Sequence, residues 1–154
     1  MKTFRTLIDD VIGDIKELFP WDLEERLKNN PDITLLDIRE PYEFDVMHIE
    51  NSINVPRGVL ESACDWGYEE TVPEIACCRN QEVIVICRSG NRSVLAAYTM
   101  QLMGFKDVTS LQTGLTGWND YELPLIDNDN NVVTIDEGDT FFEPKVRPEQ
   151  MPPA

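Results

Sequence analysis

No apolar run in this chain approaches the roughly 20 residues that a membrane-spanning helix requires. Near the N-terminus, Asp9, Asp10 and Asp14 interrupt the apolar core that a secretory leader would need. The cytoplasm is therefore the expected location. Cysteine is scarce, with four residues at Cys64, Cys77, Cys78 and Cys87. In a chain read as cytoplasmic such thiols stay reduced, so no disulfide framework is expected. Cys77 and Cys78 are also poor partners for each other, since bridging neighbours strains the backbone between them. The spacing of Cys64, Cys77 and Cys78 matches no common zinc pattern, and neither a metal nor a cofactor is expected. Histidine occurs once, at His48, so any Cys–His pair would have to use it. Basic residues are few: 13 Lys and Arg face 29 Asp and Glu, a formal net charge of -16. Nucleic acid and anionic membrane surfaces are poor partners for such a molecule, and the acidity serves solubility. A small anionic substrate would need local positive charge set against the global field. The position of each arginine is then informative.

What remains is an ordinary globular composition, 42% hydrophobic and 27% charged over 154 residues. One domain of that size packs a core without disulfides. Phe4, Leu7, Ile8, Val11 and Ile12 recur at helical spacing before Gly13, which predicts a short helix packed on the domain. "DIKELF" is a candidate edge strand, and "PWDLEERLKNNPD" reads as a helix opened by Pro20. "ITLLDI" and "EVIVIC" are continuous apolar runs of strand length, the mark of buried parallel strands. Between them, "EPYEFDVMHI" predicts a short helix and "SINVP" a short strand, with partial helix at "GVLESA" and "TVPEIACC". A helix closed by Gly104, a strand at "DVTSLQ" and a final helix in "GLTGWNDYELP" follow. Alternating strands and helices define an α/β fold: an open parallel sheet flanked by helices on both faces. Residues 126–154 read as an acidic, proline-containing extension with a strand-like "VVTI" and a mobile end from Glu143. Within it, "DNDNN" opens like a calcium loop, but Val132 and Gly138 stand where such a loop needs glycine and glutamate, so it is a turn.

Open α/β sheets collect reactive groups at the carboxyl ends of their strands. Cys87 stands at that end of "EVIVI", followed by Arg88, Ser89, Gly90, Asn91, Arg92 and Ser93. A thiol attacks as its thiolate, and an unaided thiol, with a pKa of about 8.5, supplies little of it at neutral pH. Arg88 and Arg92 place positive charge nearby, and the following helix aims its N-terminal amides back at the loop. Gly90 allows successive N–H groups to converge on one anion. Ser89 and Ser93 add hydroxyl donors, and Ser93 is a candidate helix cap. The loop is an anion cradle with a nucleophile at its centre, beyond what a small apolar residue ending a core strand would need.

In order and spacing, "LLDIREPYEF", "HIENSINVP", "VIVICRSGNRS", "GF" before "VTSLQTG", and "GW" before "LP" resemble rhodanese domains, the single-domain thiosulfate sulfurtransferases. The resemblance covers about residues 14–125 and implies a rhodanese-like fold. It also implies that Cys87 takes sulfane sulfur from a small anionic donor such as thiosulfate. The resulting persulfide would pass its sulfur to cyanide, a low-molecular-weight thiol or a protein thiol. The backbone amides of Arg88 to Ser93 would hold the terminal sulfur, while Arg88 and Arg92 attract the donor and steady the leaving sulfite. Phosphate-handling relatives place five residues between cysteine and arginine, whereas four separate Cys87 from Arg92, which suits one sulfur atom better than a tetrahedral oxyanion. Two alternatives stand beside this reading. One is a persulfide carrier or binding module acting with a protein partner; the other is a phosphatase-like hydrolase.

Asp37 and Arg39 end a neighbouring strand and are supporting candidates, whose plainer reading is an ion pair fixing loop geometry. Glu43 is expected to fix the "REPYEF" turn. The family's glycine before the histidine is Met47 here, and His48 is assigned no catalytic role. Trp118 is expected in the core. Of the remaining thiols, Cys64 is expected to be the most exposed.

Overall fold

The apolar runs become five strands: β1 (Lys16–Leu18), β2 (Thr34–Asp37), β3 (Ile53–Asn54), β4 (Glu82–Ile86) and β5 (Asp107–Leu111). In the computed structural model, which describes all 154 residues, they form one sheet in the order β1-β5-β4-β2-β3. Every pairing is parallel. Eight α-helices cover the sheet: α1 (Phe4–Val11), α2 (Pro20–Asn29), α3 (Pro41–Val46), α4 (Leu60–Ala63), α5 (Pro73–Ala76), α6 (Arg92–Leu102), α7 (Gly114–Asp120) and α8 (Ile135–Phe142). None is long and apolar enough to cross a membrane.

The period-2 pleat sends alternate residues of β4 into two separate cores. Val83, Val85 and Cys87 join Leu36, Val108 and the inner residues of α1, α4, α5 and α6. Ile84 and Ile86 face the opposite way, toward Leu23 of α2, Leu115 and Trp118 of α7, and Phe142 of α8. Central β4 is buried on both faces, which is why its sequence is uniformly apolar.

The terminal segments are integral to these layers. On α1, Ile8 is buried and Arg5 donates to Asn91 Oδ1 at 3.3 Å, tying the helix to the loop after β4. Ile126 bridges both His48 and Val132, so the expected strand-like element at "VVTI" is one isolated bridge. The helix α8 was not foreseen. Its sequence "IDEGDTFF" mixes three acids with a glycine, a poor helical signature. It is started by Thr134, whose hydroxyl accepts from the Glu137 N–H at 3.1 Å, and held by Asn119, which donates to Asp139 at 2.8 Å. Phe142 then enters the core.

Candidate functional site

The turn after β4 is shaped from outside by α7. The N–H groups of Leu115 and Thr116 donate to the Cys87 and Arg88 carbonyls at 3.0 and 2.9 Å, and the Thr116 hydroxyl adds a third bond at 3.0 Å. With these two carbonyls engaged by α7, the N–H groups of Gly90 and Ser93 are free to turn to the sulfur. Two glycines permit the close approach. Gly90 has φ +87°, and a Cβ there would lie 2.9 Å from the Thr113 N. Gly114 has φ +58°, and its Cβ would meet the Cys87 and Arg88 backbone at 2.6 Å.

At the centre, Cys87 Sγ receives the N–H of Gly90 at 3.1 Å and of Ser93 at 3.3 Å. The N–H groups of Arg88, Ser89, Asn91 and Arg92 find no acceptor within the protein, and remain as donors for a bound group. Ser93 Oγ lies 3.3 Å from the sulfur and 2.7 Å from Ser110 Oγ. Ser93 is therefore no cap. It lies within α6, where Asn91 is the cap residue and makes no side-chain cap bond. Ser110 was invisible in the sequence because nothing distinguishes it within "DVTSLQ". The parallel register pairs it with Val85, and the pleat puts it on the face that carries Cys87. The two hydroxyls form a directional relay. A thiol at Cys87 would donate to Ser93, whereas an anionic sulfur receives the Ser93 hydroxyl, which in turn accepts from Ser110.

Both loop arginines also have partners within the protein. Arg92 forms a two-pronged ion pair with Glu43, at 3.0 and 2.9 Å. Glu43 thus does more than fix its own turn, although it also accepts the Glu40 N–H at 2.9 Å. Burial alone would raise the Glu43 carboxyl, but the bonds from Arg92 and Glu40 and the charges of Arg92 and Arg39 outweigh it and hold it below the usual range. The Glu43 bond in turn keeps Arg92 firmly protonated, against the opposing effect of burial. Asp37 and Arg39 are completely buried partners, with Arg39 Nη2 2.8 Å from Asp37 Oδ2 and 2.8 Å from the Met47 carbonyl. The pair also braces the segment bearing Glu43, because Arg39 Nη1 donates to the Glu43 carbonyl at 3.4 Å.

Arg88 turns toward α8 and donates to the Phe142 and Glu143 carbonyls at 2.9 and 3.3 Å. This suits a cation at a helix C-terminus. Ser89 is exposed, and the Asn91 side chain faces Arg5 instead of the sulfur. Arg88 also lines a cleft of about 650 Å³ with Tyr42, Glu43, Phe141, Glu143 and Lys145. The other thiols stand apart. Cys64, expected to be exposed, is fully buried, and burial pushes its thiol up to about 11; the exposed one is Cys77. Cys78 is buried below Thr34 and, like Cys64, raised by desolvation. His48 stacks on Phe44, and Trp118 donates to the Pro124 carbonyl at 3.0 Å from within the core. No group of three or more potential metal-ligating side chains exists.

The family model for the Rhodanese-like domain matches residues 20–121. The chain belongs to the rhodanese-like domain family. It is similar to a sulfurtransferase of Allochromatium vinosum, 30% identical over 73% of this chain and 95% of that protein. It also resembles the adenylyltransferase and sulfurtransferase UBA4 of Candida albicans, 32% identical over 72% of this chain but only 25% of the relative. The chain spans less than half the length of several curated relatives that it matches. Among solved structures, a Rhodopseudomonas palustris protein of unknown function, described as a possible tyrosine phosphatase, matches with TM-score 0.72 at 28% identity, covering 80% of this chain and 94% of that one. The polysulfide-sulfur transferase homodimer of Wolinella succinogenes matches with TM-score 0.61 at 29% identity, over 83% and 90% of the two chains.

Proposed function

We propose that this protein is a cytoplasmic sulfurtransferase that carries sulfane sulfur as a persulfide on Cys87. One observation carries the reading: a single buried sulfur sits at the focus of the Cys87–Ser93 loop, with two N–H groups already on it and four more unmet around it. In the forward half-reaction the Cys87 thiolate attacks the outer sulfur of a donor such as thiosulfate. The donor's S–S bond breaks, sulfite leaves with the bonding electrons, and Cys87 holds a persulfide anion. The unmet amides stabilise that added anionic sulfur in a preorganised field. Ser93, supported by Ser110, donates to the Cys87 side. Arg92, oriented by Glu43, supplies fixed positive charge, and Arg88 draws the anionic donor from the cleft. A thiophilic acceptor, cyanide or a thiol, then attacks the terminal sulfur, and Cys87 leaves as thiolate. The names of the sulfurtransferase and polysulfide-sulfur transferase relatives support this chemistry.

Intact mass after incubation of the reduced protein with thiosulfate tests the reading. Wild type is expected to gain one sulfur, about 32 Da, and Cys87→Ser to gain none. If neither gains mass with thiosulfate or with a persulfide donor, the proposal fails. A second reading, a persulfide carrier serving a protein partner, is favoured by the relative in which the matched segment is a quarter of a larger adenylyltransferase and sulfurtransferase. Removing residues 126–154 would cut through buried Ile126 and Phe142, so the informative truncation starts at Pro144. Unchanged loading with lost transfer to a protein thiol would favour the carrier. Hydrolysis of an aryl phosphate would instead favour the phosphatase chemistry that the four-residue spacing argues against.

A further inference from the structure

The side chain of Asn91 is turned away from its own helix. Asn91 stands at the cap position of α6, yet it makes no side-chain bond to the helix amides. Asparagine favours such places because its side-chain oxygen accepts the N–H two or three residues on. For Asn91 those amides belong to Ser93 and Val94. The Val94 N–H is already bonded to the Asn91 backbone carbonyl at 3.2 Å. The Ser93 N–H is on Cys87 Sγ at 3.3 Å. A capping Asn91 side chain would therefore compete with Cys87 for the Ser93 amide, and a neutral sulfur is the weaker acceptor of the two.

Arg5 holds that side chain away, its Nη2 donating to Asn91 Oδ1 at 3.3 Å. The bond joins residues 86 apart in sequence, and Arg5 lies outside residues 20–121, the segment matched by the family. The helix that carries Arg5 is firmly seated. Thr3 and Thr6 close the first turn of α1 with reciprocal bonds of 2.7 and 3.1 Å. Ile8 shares a core with Cys87, Val94 and Ala97, which docks α1 on α6. Beyond α1, Gln101 of α6 donates to the Asp14 carbonyl at 3.2 Å. The guanidinium also has an acid one turn along, but Asp9 Oδ1 stands 4.0 Å from Nη1, at the limit of ion-pair range. The amide oxygen on the loop is the nearer partner.

We infer that Arg5 is a positioning residue for the cradle: by holding the Asn91 side chain outward, it reserves the Ser93 N–H for the sulfur of Cys87. The kinetic consequence rests on the sulfur-transfer reading. Arg5 bonds Asn91 and not the sulfur, so its effect passes through Asn91. A cation acting by its field on an anionic donor would instead change how much donor is needed.

The test is a double-mutant cycle on thiosulfate loading of Cys87, followed by intact mass at timed intervals. Arg5 is largely exposed, so Arg5→Met removes the donor with little loss of packing. It should slow loading at saturating thiosulfate about three- to tenfold and leave the half-saturating concentration within about twofold. Arg5→Lys, which can still donate to Asn91, should recover most of the rate. In an Asn91→Ala background, which lacks the competing oxygen, Arg5→Met should change the rate less than about 1.5-fold. An unchanged rate in Arg5→Met overturns the inference. So does an equal loss in both backgrounds, or a loss expressed only as a higher half-saturating concentration, since either marks a direct field effect. A second readout needs no turnover. In amide proton–nitrogen correlation spectra, Arg5→Met should move the Ser93 resonance more than that of Gly90, and should not do so in the Asn91→Ala background. If neither thiosulfate nor a persulfide donor loads wild type while Ser93 responds in this way, the sulfur-transfer reading falls and the positioning role stands. Normal loading with no response of Ser93 does the reverse.

Discussion

Cys87 and Cys64 are equally hidden from solvent, 1% and 0% exposed, and both belong to the same apolar core. Their surroundings are opposite. Around Cys64 nothing donates to the sulfur, so desolvation dominates and the thiol is raised to about 11. Around Cys87 two N–H groups already point at Sγ and a hydroxyl pair stands behind it. Equal burial thus leaves the two thiols in different company, and the donors aimed at Cys87 are what separate them. The difference comes from secondary structure. Cys64 ends the single-turn helix α4, in a mixed segment with no amide cradle. Cys87 ends a central parallel strand, where the chain must turn over the sheet edge into a helix N-terminus.

The sharpest way to break this comparison is to remove one sulfur at a time. Cys87→Ser should abolish sulfur loading by mass spectrometry, and Cys64→Ala should leave the rate within twofold; sulfur found on Cys64 in Cys87→Ser would contradict the argument. Next in size is the charge beside the cradle. Glu43→Gln should lower kcat/KM with thiosulfate about 10- to 100-fold, since Arg92 loses its orienting partner. It should also cost about 1–3 kcal/mol in urea unfolding at pH 7. Because the Glu43 carboxyl is lowered in the folded state, its stabilisation is present above about pH 4.3 and is lost as pH falls through the depressed value. The acid-side loss should therefore be smaller in Glu43→Gln. Gly90→Ala attacks the geometry itself, forcing a Cβ to 2.9 Å from the Thr113 N at φ +87°. A loss of about 1–3 kcal/mol, with at least a tenfold slower loading rate, is expected.

Smaller still is Ser110→Ala. It leaves Ser93 free to turn its hydroxyl away from the sulfur, so loading should slow about three- to tenfold. Ser110→Thr, which keeps the hydroxyl, should restore most of the rate, which repair of a packing defect alone would not do. The smallest effect concerns Cys64 and stability. Its thiol is raised when folded, so it stabilises the protein below the unfolded-chain value near 9 and loses that contribution as pH rises toward 11. Part of the alkaline loss of stability should disappear in Cys64→Ala, as read by urea midpoints across that range.

Much of this was legible in the chain. The apolar runs placed β2 and β4, the alternation placed the sheet, and the "CRSGNRS" stretch placed the loop and its sulfur. What was not legible shares one cause: each case is a contact between segments distant in sequence. The Glu43–Arg92 pair joins residues on α3 and α6, and Ser110 meets Ser93 only through the β4–β5 register. Arg88 was expected to face the donor, but its guanidinium also finds the carbonyls ending α8, a helix whose own sequence hardly signals its presence. Cys64 was expected to be the most exposed of the remaining thiols because it lies in the variable region between strands, yet it joins Leu60, Ala63 and Ile75 in the core.

The sequence by itself determined which groups gather at the strand end. A thiol, a glycine able to take positive φ, and successive amides at a helix start are local features, encoded within a few residues and set by backbone sterics and strand periodicity. Only the tertiary structure decided which donors reach the sulfur, which arginine is held by a carboxylate, and which segment forms the second wall of the cleft. Those outcomes depend on side-chain directions across a pleated sheet and on where a distant helix docks. Packing of the whole core, and no local propensity, selects them.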